Sequence, residues 1–157
     1  MPMPPLWYYL LLLVPAAPLA YDDFRMRRVA VVWLAVLGAV AVAVGWLSAG
    51  LRPMLVHTAA NACMLVLFGS AMLLCHFSRR RPPGEFFSRS FGAGDAVMMV
   101  AVAPLFSPAA YVRLLLAACI AALGWWAVKR PATIPLAGFL ALTLVVYVVC
   151  KTAGLWS

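Results

Sequence analysis

From Val29 to Leu47 the chain reads VAVVWLAVLGAVAVAVGWL, nineteen residues without one charged or strongly polar side chain. As a helix rising about 1.5 Å per residue, this run comes close to the ~30 Å hydrocarbon thickness of a bilayer. It has no polar face to turn toward water. Five further apolar runs follow the same pattern: Leu6–Ala20, Thr58–Cys75, Ala96–Phe106, Tyr111–Val128 and Ile134–Cys150. Charged residues make up only 10% of the chain, where a soluble domain carries about 25% to cover its surface. The expectation is an all-α polytopic membrane protein with about six transmembrane helices, a single domain over residues 1–157. The fourth helix is cut short by Pro104 and Pro108. The partner implied by such a surface is the lipid bilayer.

A net charge of +8 raises the question of nucleic acid, and its distribution answers it. Nine of the twelve Lys and Arg fall in three clusters between apolar runs: Arg25, Arg27 and Arg28; Arg79, Arg80, Arg81 and Arg89; Lys129 and Arg130. No aromatic-interleaved basic face of the kind that single strands need is present in the sequence, so no nucleic-acid partner is expected. The clusters read as topology. With six crossings and the N-terminus outside, all nine lie on one side, against Arg52, Arg113 and Lys151 on the other. The positive-inside rule then makes the rich side cytoplasmic and both termini extracytoplasmic. The first apolar run could be taken for a secretory leader. It is read instead as a true first helix, because no Lys or Arg precedes it and it contains Pro15.

Cys63, Cys75, Cys119 and Cys150 form no C-x-x-C pair and sit in or at the ends of apolar runs, which reads as small residues filling helix contacts. His57 and His76 are placed at helix ends. No metal site and no cofactor are expected.

The acidic residues are more telling, because there are only four. Asp22 and Asp23 close the first apolar run, and Asp95 opens the fourth, behind a glycine pair. A carboxylate costs about 2.5–3.5 kcal/mol at the centre of a membrane helix and less near the interface. Two structural roles are open: Asp95 as the N-cap of its helix, and Asp22 and Asp23 as interfacial charges paired with Arg25 or Arg27. A chemical role is open too. The expected topology puts Asp23 and Asp95 at one depth. Two carboxylates held close do not both ionise easily, so one keeps a proton while the other activates water.

The stretch FGAGDAVMM, Phe91 to Met99, resembles the GxGD motif of intramembrane aspartic proteases. DFRMRRV, Asp23 to Val29, is similar to the first aspartate motif of type IV prepilin peptidases: aspartate, apolar residue, arginine, two variable residues, arginine, branched apolar residue. IPLAGFLAL, Ile134 to Leu142, resembles the start of that family's last helix. The resemblance spans the chain and fits the family's short form, without its zinc-binding and methyltransferase portion. It implies a bacterial inner-membrane endopeptidase acting on a prepilin-like substrate, with Asp23 and Asp95 catalytic and Asp22 outside the pair. It also implies motif or substrate-contact roles for Arg25, Arg28, Gly92, Gly94 and Pro135. Val97 stands where the family has lysine, and Ala30 and Val31 where it has proline and asparagine. The alternative is a non-enzymatic protein, either an inactive relative or a transport or assembly subunit. Against transport, Asn61 and Thr143 are isolated polar residues that line no path. The sequence leaves oligomeric state open.

Overall fold

The computed structural model describes residues 6–26, 30–78, 92–130 and 134–154. A 3-10 segment, Leu6–Leu12, leads into α1 (Leu13–Met26). Then follow α2 (Val31–Ala49), α3 (Leu51–Ser78), α4 (Ala93–Val102), a 3-10 turn (Ala103–Leu105), α5 (Pro108–Lys129) and α6 (Leu136–Thr152). Every apolar run of the sequence thus contributes a helix, but the expectation of about six crossings is corrected. Among the described residues only α2, α3 and α5, with 19, 28 and 22 residues, are long and apolar enough to cross a membrane.

The reasons lie in the backbone. Prolines lack the amide hydrogen that an α-helix needs in its interior. In the first run the α-helix is preceded by 3-10 turns, and α1 has 14 residues, about 21 Å at 1.5 Å each. Pro104 ends α4 after 10 residues, and Pro135 stands at the cap that starts the 17-residue α6. Neither reaches the ~30 Å of a hydrocarbon core as an α-helix. Conversely α3 outgrows its apolar run by starting at Leu51, directly after Gly50, whose φ of 85° makes the turn from α2. His57 consequently lies within α3 and not at its end. The polar linker at 79–91, which holds Glu85, lies outside the described residues.

Helix α6 is the hub, packing against α1, α4, α5 and the N-terminal 3-10 segment. Lipid tails are as apolar as leucine, so burial from water does not select which faces meet. Close backbone approach over small residues does. Ala137, Gly138 and Ala141 on α6 are buried, as are Ala16 on α1, Ala41 on α2 and Ala118 and Ala122 on α5. Bulky groups such as Val66, Leu67, Phe68 and Ile120 face outward. So do Cys63 and Cys75, against the expectation that all four cysteines fill helix contacts.

Two polar staples hold the far side of the bundle. The 3-10 turn after α4 leaves carbonyls without helical partners. Asn61 of α3, fully buried, donates from its Nδ2 to the carbonyls of Ala103 and Phe106, both at 2.9 Å. The hydroxyl of Tyr111 on α5 donates to the Met99 carbonyl at 2.8 Å. Asn61, isolated in the sequence, is therefore a tie between α3 and the α4–α5 turn.

Candidate active site

Chain direction sets the geography. Helices α1, α3 and α5 end, and α2, α4 and α6 begin, at one end of the bundle. The first turn of α6 is the meeting point. An α-helix leaves its first amide hydrogens without intrahelical partners. Here Pro135 is the cap and has no hydrogen to offer, and the first helical bond runs from Phe139 N–H to the Pro135 carbonyl. Leu136 N–H turns back to the Ile134 carbonyl, which leaves the amides of Ala137 and Gly138.

Each of the two takes a carboxylate from a different helix. Ala137 N–H donates to Asp95 Oδ1 at 2.7 Å, and Gly138 N–H donates to Asp23 Oδ2 at 2.6 Å. Two residues 72 positions apart in sequence are thus brought onto adjacent amides of a third element. The positive end of the α6 dipole adds to the hold on negative charge. Asp23 is buried in the last turns of α1, whereas Asp22 is half-buried and is not brought to these amides.

Asp95 is not the cap of α4. Gly92 holds that position with no side-chain hydrogen bond, and Asp95 stands three residues in, reaching back to the Gly92 amide. Burial pushes its carboxyl above the usual range. The Ala137 amide pulls it down, the neighbouring Asp23 pushes it up, and the Gly92 amide pulls it down. The balance is a raised value. Asp95 therefore holds a proton more readily than an exposed aspartate, and it does so in the short α4, outside the three spans.

Both glycines next to this pair are there for space. A Cβ on Gly138 would lie 3.0 Å from Asp23 Oδ2 and 3.2 Å from the Phe24 ring, and one on Gly92 would lie 2.9 Å from Asp95 Oδ2. Gly92, singled out in the sequence for substrate approach, thus lies directly against the carboxylate. Gly94 is in the first turn of α4, and Pro135 caps α6. Arg25 is exposed, with its guanidinium over the Tyr21 ring at 5.6 Å and bonded to the Tyr21 hydroxyl, so it is not brought to the carboxylates. Arg28 lies outside the described residues. Val97 projects outward from α4, half exposed. The sequence reading missed the Ala137 and Gly138 amides. The one trace they leave is the Pro-Leu-Ala-Gly order, a proline without a donor followed by a residue without a side chain.

Phe24, next to Asp23 in sequence, belongs to a cluster of three rings. Phe24 and Phe139 meet edge to face at 5.0 Å between centroids, and Trp125 of α5 stands 6.4 Å from each. Among the described residues no three His, Cys, Asp or Glu side chains converge as metal ligands would. The arrangement offers two carboxyl groups, of which Asp95 is the one raised by burial, fixed on a helix start beside an aromatic cluster.

Fold and site together define a helical protein with membrane-crossing segments and paired carboxylates at one end of its bundle. Comparisons with protein-family models, with curated proteins and with solved structures return no match for this chain.

Proposed function

We propose that this chain is a membrane aspartic endopeptidase that removes leader peptides from prepilin-like proteins at the cytoplasmic boundary of a bacterial inner membrane. The observation that carries the reading is the convergence of Asp23 and Asp95 on the adjacent amides of Ala137 and Gly138. All three elements come from stretches that resemble the family's motifs. The end of the bundle holding the pair also holds Arg25, Lys129 and Arg130, and the basic bias of the sequence assigns that end to the cytoplasm. At the opposite end of the bundle Lys151 of α6 lies 4.6 Å from the ring centroid of Tyr9 in the first element.

In the proposed reaction the ionised carboxylate takes a proton from water as the oxygen adds to the scissile carbonyl carbon. The protonated carboxyl gives its proton to the carbonyl oxygen. The resulting gem-diol collapses with loss of the C–N bond: the proton held by the first carboxyl passes to the leaving amine, and one gem-diol hydroxyl returns its proton to the second carboxyl as the new C=O forms. The amides of Ala137 and Gly138 hold both groups in position throughout.

A second reading has an observation of its own. Both carboxylates satisfy otherwise unpaired amides, so they also serve as a clamp on α6 in a non-enzymatic relative or a transport or assembly subunit. Co-expression with a prepilin-like substrate, scored by its shift in size, separates the two. The peptidase reading expects Asp23→Asn and Asp95→Asn each to abolish processing while still inserting, because the asparagine oxygen can accept the same amide bonds. The double variant should be no worse than either, and Asp22→Asn should process normally. Normal processing by Asp95→Asn would leave the clamp as its whole role.

A further inference from the structure

We infer that Lys151, Tyr9 and Tyr147 form a site for the phosphate of an anionic phospholipid at the end of the bundle opposite the carboxylates. The site joins the first element of the chain to the last and is independent of the peptidase reading. Lys151 stands in the last turn of α6, and its Nζ donates to the Tyr147 hydroxyl one turn back at 3.1 Å. The same nitrogen lies 4.6 Å from the ring centroid of Tyr9 and 5.5 Å from that of Tyr147. The Tyr9 side chain is its second polar partner. Both rings are anchored. Tyr9 is 7% exposed, and Tyr147 meets the buried Phe106 ring edge to face at 4.8 Å between centroids.

What this frame lacks is an anion. The acidic residues of the described segments, Asp22, Asp23 and Asp95, all lie at the other end, and Glu85 belongs to the linker outside the described residues. Aromatic rings and phenol oxygens attract an ammonium but leave its charge whole. A partly buried cation without a counter-charge is unfavourable, and a lysine near a helix end escapes by stretching its stem to the interface. Arg52 and Arg113 at this end are exposed, whereas Lys151 is half-buried and held against tyrosines. An ammonium has three hydrogens. The tyrosines engage two, and among the described residues the third has no acceptor.

Depth selects the ligand. Trp7 and Tyr8, just ahead of Tyr9, pair at 4.2 Å between centroids, and Trp7 is 57% exposed. Tryptophan and tyrosine collect at headgroup level. The anion abundant at that level is lipid phosphate. Phosphatidylglycerol carries a net negative charge there, whereas phosphatidylcholine balances its phosphate with its own ammonium. Leu10 and Leu11, next to Tyr9 and exposed, give the acyl chains an apolar wall.

The test uses the full chain in neutral detergent, with phosphatidylglycerol or phosphatidylcholine added at equal mole fraction. At about ten times its Kd, phosphatidylglycerol should raise the unfolding midpoint by about 3–6 °C over phosphatidylcholine. Basic residues at the carboxylate end also draw anionic lipid, so the diagnostic is the difference between variants. Lys151→Gln should lose at least half of the shift and retain one phosphatidylglycerol fewer by native mass spectrometry. Lys151→Arg and Arg52→Gln should keep both. An equal shift with both lipids, an undiminished shift in Lys151→Gln, or no shift at all would overturn the site. So would the full shift from inorganic phosphate alone, which would make the occupant a soluble anion. Should Lys151→Gln fail to insert, wild type decides the matter. Phosphatidylglycerol with a diazirine in its headgroup should label the segments around Tyr9 or Lys151. Labelling confined to the carboxylate end would overturn the proposal.

Discussion

Adding one methyl group to Gly138 puts the geometry of the site under direct strain. Ordinary van der Waals contact begins near 3.4 Å, yet the new Cβ would meet Asp23 Oδ2 at 3.0 Å and the Phe24 ring at 3.2 and 3.3 Å. The carboxylate and the ring must both give by a few tenths of an ångström. The ring has little room, since Phe139 faces its edge at 5.0 Å between centroids. The load falls on the 2.6 Å bond from the Gly138 amide. A hydrogen bond to a charged group is worth about 1.5–3 kcal/mol, and overpacking a tight site costs about 1–3 kcal/mol. Alanine returns up to about 1 kcal/mol of helix propensity, less in a first turn. Gly138→Ala should therefore lose about 1–2 kcal/mol. Since a 1 Å misplacement costs about 100-fold, it should process a prepilin-like substrate at least ~10-fold more slowly. Gly124→Ala is the control, because a Cβ there meets nothing within 4 Å. Thermal unfolding in detergent and substrate processing, measured on both variants, decide the matter. If Gly138→Ala matches Gly124→Ala in both, the contact between Gly138 and Asp23 carries no energy and the argument fails.

Three further predictions use other parts of the structure. Replacing Asn61 with leucine removes both donors to the Ala103 and Phe106 carbonyls and should cost about 2 kcal/mol or more, read as a lower unfolding midpoint; no change would mean the staple is redundant. Because the folded state raises the Asp95 carboxyl, its contribution is complete below the ordinary carboxylate range near ~4 and is lost as pH rises through the raised value. Unfolding midpoints from about pH 4 to about pH 8 should show that fall in wild type and not in Asp95→Asn, and a fall in the opposite direction would refute it. Val97→Lys places an ammonium on an exposed position two residues from Asp95 and should raise processing of standard prepilins; an unchanged rate beside efficient wild-type processing would dismiss the position.

The helical class and the two aspartates were legible because each has a chemical signature along the chain. An apolar run of nineteen residues admits few alternatives, and a carboxylate beside such a run is costly enough to need a reason. What α6 contributes is of another kind. Backbone amides look the same at every position, so no side chain announces that Ala137 and Gly138 hold the pair. The number of crossings was overread because hydropathy counts apolar residues whether or not they form one continuous α-helix, as the 3-10 turns before α1 and Pro104 after α4 show. Burial was equally hidden. In lipid the outside of a helix is as apolar as the inside, which is why Cys63 and Cys75 could not be told from buried residues. Asn61 looked solitary for a related reason, since its partners lie 42 and 45 residues away.

The dependence of the carboxylate pair on the first turn of α6 has a consequence for biosynthesis. The segment that grips Asp23 follows it by 115 residues. A ribosome releasing this chain from its N-terminus delivers the two aspartates long before the amides that align them. Until α6 threads between α1, α4 and α5, the nascent protein holds its carboxylates without their support, and they cannot work as a pair. Hydrolytic competence, on the proposed function, arrives only with α6.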